Sequence, residues 1–447
     1  MDETPLREAL RRLGDTKQPA AAVNLALVRA EGRRRQRRRQ AGITVTAAAA
    51  VAVPAVIGLG LGHGAAAPHP RGSATTHLPV AHTGRGAVAY VTRQHRDGHD
   101  EVIPISTDTN EAGQPITVAA GAGLIAITPN GRTAYVANES TKGFLTPIST
   151  ATNTAGQPIK VGDYPYSLTF TPNGRILYVA IIDSRKVIAI STATNKVVKA
   201  IKVGGWPNAI AVAPDGRTAY VSNQGSDTVS VISTATNAVI KTIKNIGAGA
   251  HDGPLTMAMT PNGATLYAAN VGPGRASVAA ISTATDTVVR TISGCPGAGQ
   301  GGGSGAPVIA FTPDSKTAYV ICNKPPEDSG TVLPISTATN RPGRPIGIGL
   351  FAAAIAVTPD GQTAYALDST GKLFPISTAT NRPGQPIKIS PGATDLAITP
   401  DGRTVYVLDH DTGMVTPVST ATNTAGKPIL IKFPIQIAIT PAAPRKP

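Results

Sequence analysis

The side chains best suited to chemistry in this 447-residue chain are few and unevenly placed. Asp409-His410-Asp411-Thr412-Gly413 offers oxygen atoms at alternate positions, a spacing with which loops hold Ca²⁺, although it is much shorter than an EF-hand loop. Asp409 and Asp411 are therefore the candidate metal ligands, set against the ordinary role of loop carboxylates as turn formers. Of the eight histidines, six (His63, His69, His77, His82, His95 and His99) fall in or near a Gly/Pro/Thr-rich stretch where solvation is the plain expectation. The other two are His251, beside Asp252, and His410. Cys295 and Cys322 are the only cysteines, and in an oxidising compartment they would form a disulfide. No Gly-x-Ser-x-Gly elbow, phosphate loop, HExxH or CxxC occurs, so no catalytic residue and no cofactor is expected.

These residues need a scaffold, and composition limits what it is. Apolar residues make up 41% but aromatics only 4%, so the core must be built from Ala, Val and Ile in thin, closely packed layers. The formal charge of +15 would suggest nucleic acid if it formed one patch. Instead, residues 1–40 carry 11 Lys and Arg against 5 Asp and Glu, and the remaining excess is scattered with no interleaved aromatics. Nucleic-acid binding is not expected.

Three markers then repeat in fixed order. A Pro-Asn/Asp-Gly turn begins at Pro129, Pro172, Pro214, Pro261, Pro359 and Pro400, with a Pro-Asp-Ser variant at Pro313. A strand centred on tyrosine follows, at Tyr90, Tyr135, Tyr178, Tyr220, Tyr267, Tyr319, Tyr365 and Tyr406. IST-A/D-T-N/D or VST comes next, starting at Ile105, Ile148, Ile190, Ile232, Ile281, Ile335, Ile376 and Val418. A repeat of roughly 40–50 residues rich in short strands and turns is the signature of a β-propeller.

The repeat around Tyr220 divides by its own chemistry: NAIAVA as inner strand a, the Pro214-Asp215-Gly216 turn, RTAYVSN as b, TVSVIST as c, the Ala235-Thr236-Asn237 turn, and AVIKTIK as outer strand d. The expected fold is all-β, a propeller of eight four-stranded blades with seven as the alternative. The first repeat, AVAYVT, lacks a strand a, whereas the chain ends with IQIAITP, a strand a with nothing after it. Residues 435–440 should therefore pair beside 87–91 and close the ring. Pro115, Pro158, Pro345, Pro386 and Pro428 in five d segments protect an outer edge from pairing with other chains.

Topology places the a–b and c–d turns on one face, nearly uniform, and the b–c and d–a loops on the other. The insertions at 245–255, 293–306 and 323–331 all fall on that second face, which marks it as the recognition side. Its candidate binding residues are Asp227, His251, Asp252, Asp328, Asp368 and His410.

Residues 41–62 carry no charge, and at about 1.5 Å rise each they reach roughly 33 Å, enough to cross a membrane core of about 30 Å. Arg33, Arg34, Arg35, Arg37, Arg38 and Arg39 flank that run on its N-terminal side and place residues 1–40 in the cytoplasm. The expected order is a basic tail (1–40), a transmembrane signal anchor (41–62), a flexible linker (63–85), the propeller (86–441) and a short tail (442–447). Cleavage near Ala65-Ala66-Ala67, giving a secreted protein, is the alternative.

The runs TAYVAN, TAYVSN and LYVA followed by ISTATN resemble the YVTN-type propeller repeat of surface-layer and other exported proteins, over about residues 86–441. The resemblance implies an exported propeller; together with the anchor and the variable face, the expectation is a membrane-held, monomeric module that binds an extracytoplasmic protein, glycan or small ligand. Lactonases and some oxidoreductases use similar propellers, so an enzyme is the first alternative and a transmembrane sensor with a cytoplasmic partner the second. Trp206, the sole tryptophan, has the plain reading of a rim packing residue.

Overall fold

The computed structural model describes residues 86–95, 98–138, 143–247, 253–270, 277–295, 308–324 and 329–441. Two compact units divide the chain, 1–75 and 76–447, and the described residues belong to the second. The expected tail, anchor, linker and C-terminal tail therefore lie outside the described residues, as do His251, Asp252 and Asp328. Among the described residues no helix is long and apolar enough to cross a membrane.

Eight antiparallel sheets follow one another, each a blade with its strands in the order a, b, c, d from the inside out. Eight blades rather than seven is the finding, because every tyrosine-centred strand nucleates its own sheet. In blade 4 the strands are Pro207–Val212, Thr218–Asn223, Thr228–Ser233 and Ala238–Lys244. Strand b is buried along almost its whole length because a neighbouring blade covers each face, and this is why TAYVSN shows no polar alternation.

Blade 1 is shared by the two ends of the described chain. Strand Pro434–Ile439 supplies its inner strand and pairs with Val88–Arg93, matching Ala89 with Ile439 and Val91 with Ile437. Thr440 secures the join twice: its N–H donates to the Val88 carbonyl, and its Oγ1 accepts the Val88 N–H, both at 2.9 Å.

The tyrosine and the Asn of ISTATN prove to be partners across blade boundaries. Tyr90 donates to Asn153 Oδ1 of blade 2 at 2.7 Å, Tyr135 to Asn195 and Tyr178 to Asn237 at 2.5 Å, Tyr319 to Asn381 and Tyr365 to Asn423 at 2.7 Å. Tyr267 reaches Asn340, and Tyr220 meets Asp286 at 2.8 Å, the one carboxylate in the set. Tyr406 of blade 8 completes the circle on Asn110 of blade 1 at 2.5 Å. Each acceptor residue has φ between 49° and 58°. Asn and Asp are the side-chain-bearing residues that adopt this left-handed conformation most readily, so one residue type serves both the turn and the acceptor. Burial pushes the Tyr135, Tyr178, Tyr267, Tyr319 and Tyr406 hydroxyls up to about 12, which keeps them protonated as donors.

The turns of the uniform face are bound to one another as well. Thr150, Thr192, Thr234 and Thr420, each following an IST or VST strand, donate to the carbonyls of Gly131, Gly174, Gly216 and Gly402 in the a–b turns. Gly263 lies against Pro214 so closely that an added Cβ would meet the proline ring at 2.9 Å. Ser315, at φ 61°, stands where other turns have Gly, and its Oγ accepts the Asn262 N–H of the preceding blade at 2.9 Å.

The edge prolines break the outer strands in two, as in Thr154–Ala155 and Ile159–Lys160 on either side of Pro158. Their counterpart lies in strand c. Pro104, Pro147, Pro334, Pro375 and Pro417 occupy c strands of the same five blades, where the interrupted d strand asks for no donor. Blades 3, 4 and 5 lack both prolines, and their outer strands run unbroken through a bulge at Val198, Ile240 and Val289, each more than half exposed.

Cys295 and Cys322 are joined as a disulfide with Cα atoms 5.0 Å apart, both buried in the core of blades 5 to 7. The bond closes a 27-residue separation. Reduction should lower stability by on the order of 3 kcal/mol, read from urea melts with and without a reductant; coincident melts would show that the bond is idle. Removing residues 433–447 deletes the inner strand of blade 1 and should replace the single unfolding transition by a broad one. Calorimetry showing an unchanged, sharp transition would contradict closure by this strand.

Candidate functional site

The uniform face commits its turn hydroxyls and amides to the ring and exposes Arg132, Arg175, Arg217, Lys316 and Arg403 beside its a–b turns, whereas the sequence candidates lie on the opposite face. Strand b delivers polar residues to the opposite face as it ends. Asp368 and Asp409 occupy equivalent positions three residues after Tyr365 and Tyr406, and both are buried. Asp368 Oδ1 accepts the N–H groups of Thr370 and Lys372 at 2.9 Å. Asp409 Oδ1 accepts those of Asp411 and Thr412 at 2.9 Å, while its Oδ2 meets the Ser390 hydroxyl. These carboxylates organise the b–c loops, and their lone pairs are largely committed to that task.

Asp411 is exposed, with Asp411 and Asp409 both flanking Gly392. Asp227 has φ 51° and accepts the Gly247 N–H at 2.9 Å, tying the b–c loop of blade 4 to the chain leaving its outer strand. His410 sits 3.0 Å from the Pro434 carbonyl through Nδ1, which must carry the proton because a carbonyl can only accept, and its ring lies 6.3 Å from that of Phe433. Among the described residues no group of three or more His, Cys, Asp or Glu is placed to hold a metal ion. Asp409, His410 and Asp411 thus share one loop of blade 8, whereas Asp227 and Asp368 stand on blades 4 and 7.

A different set shares one structural position. Tyr164, Trp206 and Phe433 each directly precede the proline that opens an inner strand, and each has a left-handed backbone, with φ of 55°, 52° and 54°. In blades 2 and 8 the equivalent residue is glycine, Gly121 at φ 87° and Gly392 at φ 97°. Each carbonyl accepts from its own b–c loop, Trp206 from Gln224 N–H at 3.1 Å, Tyr164 from Ile182 at 3.4 Å and Phe433 from Gln94 at 3.3 Å; Phe351, at the same position in blade 7, accepts the Ser369 N–H at 2.9 Å without a left-handed backbone. Glycine takes the left-handed conformation freely, whereas a bulky aromatic does so at a cost of order 1–3 kcal/mol. Trp206 remains 38% exposed and Phe433 42%, so burial returns only part of that cost. The indole lies over Gly225, where an added Cβ would meet it at 2.9 Å.

Near Trp206, the buried Asn208 donates through Nδ2 to Gln224 Oε1 at 2.7 Å, while its Oδ1 has no hydrogen-bond partner among the described residues. Asn223 and Asn270, at the ends of strands b in blades 4 and 5, hold unpartnered Oδ1 atoms in the same way. Sequence reasoning missed this group because Trp206 looked solitary; the recurring aromatic–Pro pair at 164–165, 206–207 and 433–434 was the available signal.

The other omission is Asp395, the single carboxylate on the described inner strands. It is buried, accepts the Leu396 N–H at 2.8 Å, and also takes the N–H of Ile437 on the closing strand. Desolvation raises its carboxyl to about 7, with the two backbone donors offsetting part of the shift. One blade further on, Gln436 Oε1 performs the same service for Ile125 N–H at 2.7 Å with a neutral amide.

The fold defines an eight-bladed β-propeller, and comparison with known proteins agrees at that level. A family model described as "Lactonase, 7-bladed beta-propeller" matches residues 189–300, a span of little more than two blades. No curated protein matches the chain. Among solved structures, "Dihydro-heme d1 dehydrogenase NirN in complex with DHE" superposes with a TM-score of 0.66 at 15% identity, covering 80% of this chain and 76% of that one. Hydrazine synthase from Kuenenia stuttgartiensis gives 0.54 at 22% identity, over 67% of this chain and 96% of that chain. A functionally unknown protein from Desulfotomaculum acetoxidans gives 0.51 at 14%, over 79% and 99%. At these identities the likeness establishes the fold alone.

The carboxyl of Asp395 is protonated in the folded ring below about pH 7 and ionised in the unfolded chain above about pH 4. Its contribution to stability is therefore fully present below the unfolded value and disappears as pH rises through about 7. Asp395→Asn keeps the acceptor without the charge. It should raise the melting temperature at pH 8, with a ceiling of roughly 4 kcal/mol in stability, and the gain should vanish near pH 4. A gain independent of pH would contradict the assignment.

Proposed function

We propose that this chain is an extracytoplasmic propeller of the YVTN-repeat type, anchored by residues 41–62, that binds a protein, glycan or small ligand through its b–c and d–a loop face. The observation that carries the reading is the division of labour between faces. One is closed on itself by repeated Tyr–Asn and Thr–Gly hydrogen bonds, while the other exposes Trp206 and Phe433 from costly left-handed backbones. The Cys295–Cys322 disulfide supports export, since such bonds persist in oxidising compartments.

An enzyme of the lactonase type is the second reading, favoured by the family match over residues 189–300. Asp395 is the group on which such chemistry would centre, because it alone among inner-strand carboxylates is poised to titrate near neutrality. Against this reading stands the commitment of that carboxyl to two backbone donors.

Two measurements separate the readings. Purified full-length protein should hydrolyse simple lactones no faster than buffer; turnover that disappears in Asp395→Asn would establish the enzyme instead. Protease added outside intact cells should digest the propeller and leave a fragment containing residues 1–40. Full protection until the cells are lysed would overturn the expected orientation.

A further inference from the structure

We infer that Trp206, Tyr164 and Phe433 form a set of stacking platforms for an uncharged oligosaccharide at the mouth of the channel, a deeper statement of the binding reading on which it rests. Three observations lead there. The first is positional: three aromatics occupy one repeat position where blades 2 and 8 have glycine, and where the backbone conformation itself favours glycine. Trp206 and Phe433 are kept against that preference at 38% and 42% exposure, with Tyr164 half-buried beside them, which marks the set for something outside the fold.

The second observation is spacing. Tyr164 and Trp206 stand on adjoining blades, 3 and 4, and packed sheets lie about 10 Å apart. Phe433 stands on blade 1, separated from Tyr164 by blade 2 and its Gly121. Rings distributed in this way cannot fold into a cage around one small cation, which needs its aromatic faces within about 6 Å of the charge. They suit an extended ligand that presents flat apolar faces in succession, as a chain of pyranose rings does.

The third observation is the polar chemistry at the rim. The groups around Trp206 are uncharged amides and hydroxyls: Asn208, Gln224 and Ser226. The Asn208 Oδ1 is buried and without a partner among the described residues, so a ligand hydroxyl donates to it only once the rim side chains move aside. Exposed Asp163 and Asp411 alternate on this face with exposed Arg185 and Lys432, a mixed charge rather than the continuous basic groove that a polyanion such as single-stranded nucleic acid would demand.

Because Trp206 is the only tryptophan in the chain, its intrinsic fluorescence reports this site and nothing else. Full-length protein is titrated with chitohexaose and cellohexaose, and in parallel with tetramethylammonium and an oligodeoxythymidylate. A saturable change in Trp206 emission with at least one hexasaccharide is expected, weakened about tenfold or more in Phe433→Gly. In Trp206→Gly, calorimetry should find hexasaccharide binding lost while the melting temperature does not fall. No response to either hexasaccharide, with a response to the cation or the oligonucleotide, overturns the oligosaccharide inference and leaves the binding face standing. Silence toward every probe together with lactone turnover overturns both. Unchanged hexasaccharide affinity in Phe433→Gly and Trp206→Gly, with a melting temperature lowered by several degrees, would make the aromatics packing residues and overturn the inference.

Discussion

A buried phenolic hydroxyl that reaches across a blade boundary to the side-chain oxygen of a left-handed residue is the constraint on which this molecule depends. It occurs eight times, from Tyr90–Asn153 round to Tyr406–Asn110. In each pair both groups would be expensive to bury alone, so neither can be satisfied unless adjoining blades meet in one register. The tyrosine ring also fills the space between thin sheets made of Ala, Val and Ile, so one side chain sets both the spacing and the alignment of its neighbour. Since the eighth link joins the last blade to the first, the same bond that aligns blades also enforces closure.

Function follows from where these bonds lie. They engage the c–d turns, and the threonines beside those turns engage the a–b turns, which commits the turn hydroxyls and amides of the uniform face to the ring and leaves side chains such as Arg175 and Arg217 exposed there. The opposite face is held differently, by strand-end carboxylates such as Asp368 and Asp409 that cap their own loops and by the Cys295–Cys322 disulfide. Sequence can vary there without disturbing the ring. The left-handed aromatics stand at the inner boundary of that freedom, where the backbone is fixed by a loop hydrogen bond.

Much of the architecture was legible in the sequence because it is periodic. Tyrosine spacing gave the number of blades, and the unmatched strands AVAYVT and IQIAIT gave the closure now seen between Val88–Arg93 and Pro434–Ile439. The Tyr–Asn partnership was not legible: its members lie 58 to 73 residues apart within the chain, and 296 apart at the closing seam, so no local pattern links them. Asp409 and Asp411 drew attention as alternating oxygen ligands, yet for Asp409 the same spacing describes a carboxylate reaching its own loop's N–H groups, and only geometry separates the two. Asp395 lay unnoticed inside an apolar run because its interest comes from a neighbouring strand distant in sequence. The c-strand prolines were visible, but their meaning required knowing which strand they face.

Hydroxyl–amide bonds across the blade boundaries couple neighbouring blades energetically. A double-mutant cycle on Tyr178→Phe and Asn237→Gly, read by equilibrium unfolding, tests that coupling most directly, since this bond is buried and measures 2.5 Å. The account predicts a coupling energy of about 1 kcal/mol or more between the two sites. Strictly additive effects would contradict it, showing that the blades are held by apolar packing alone.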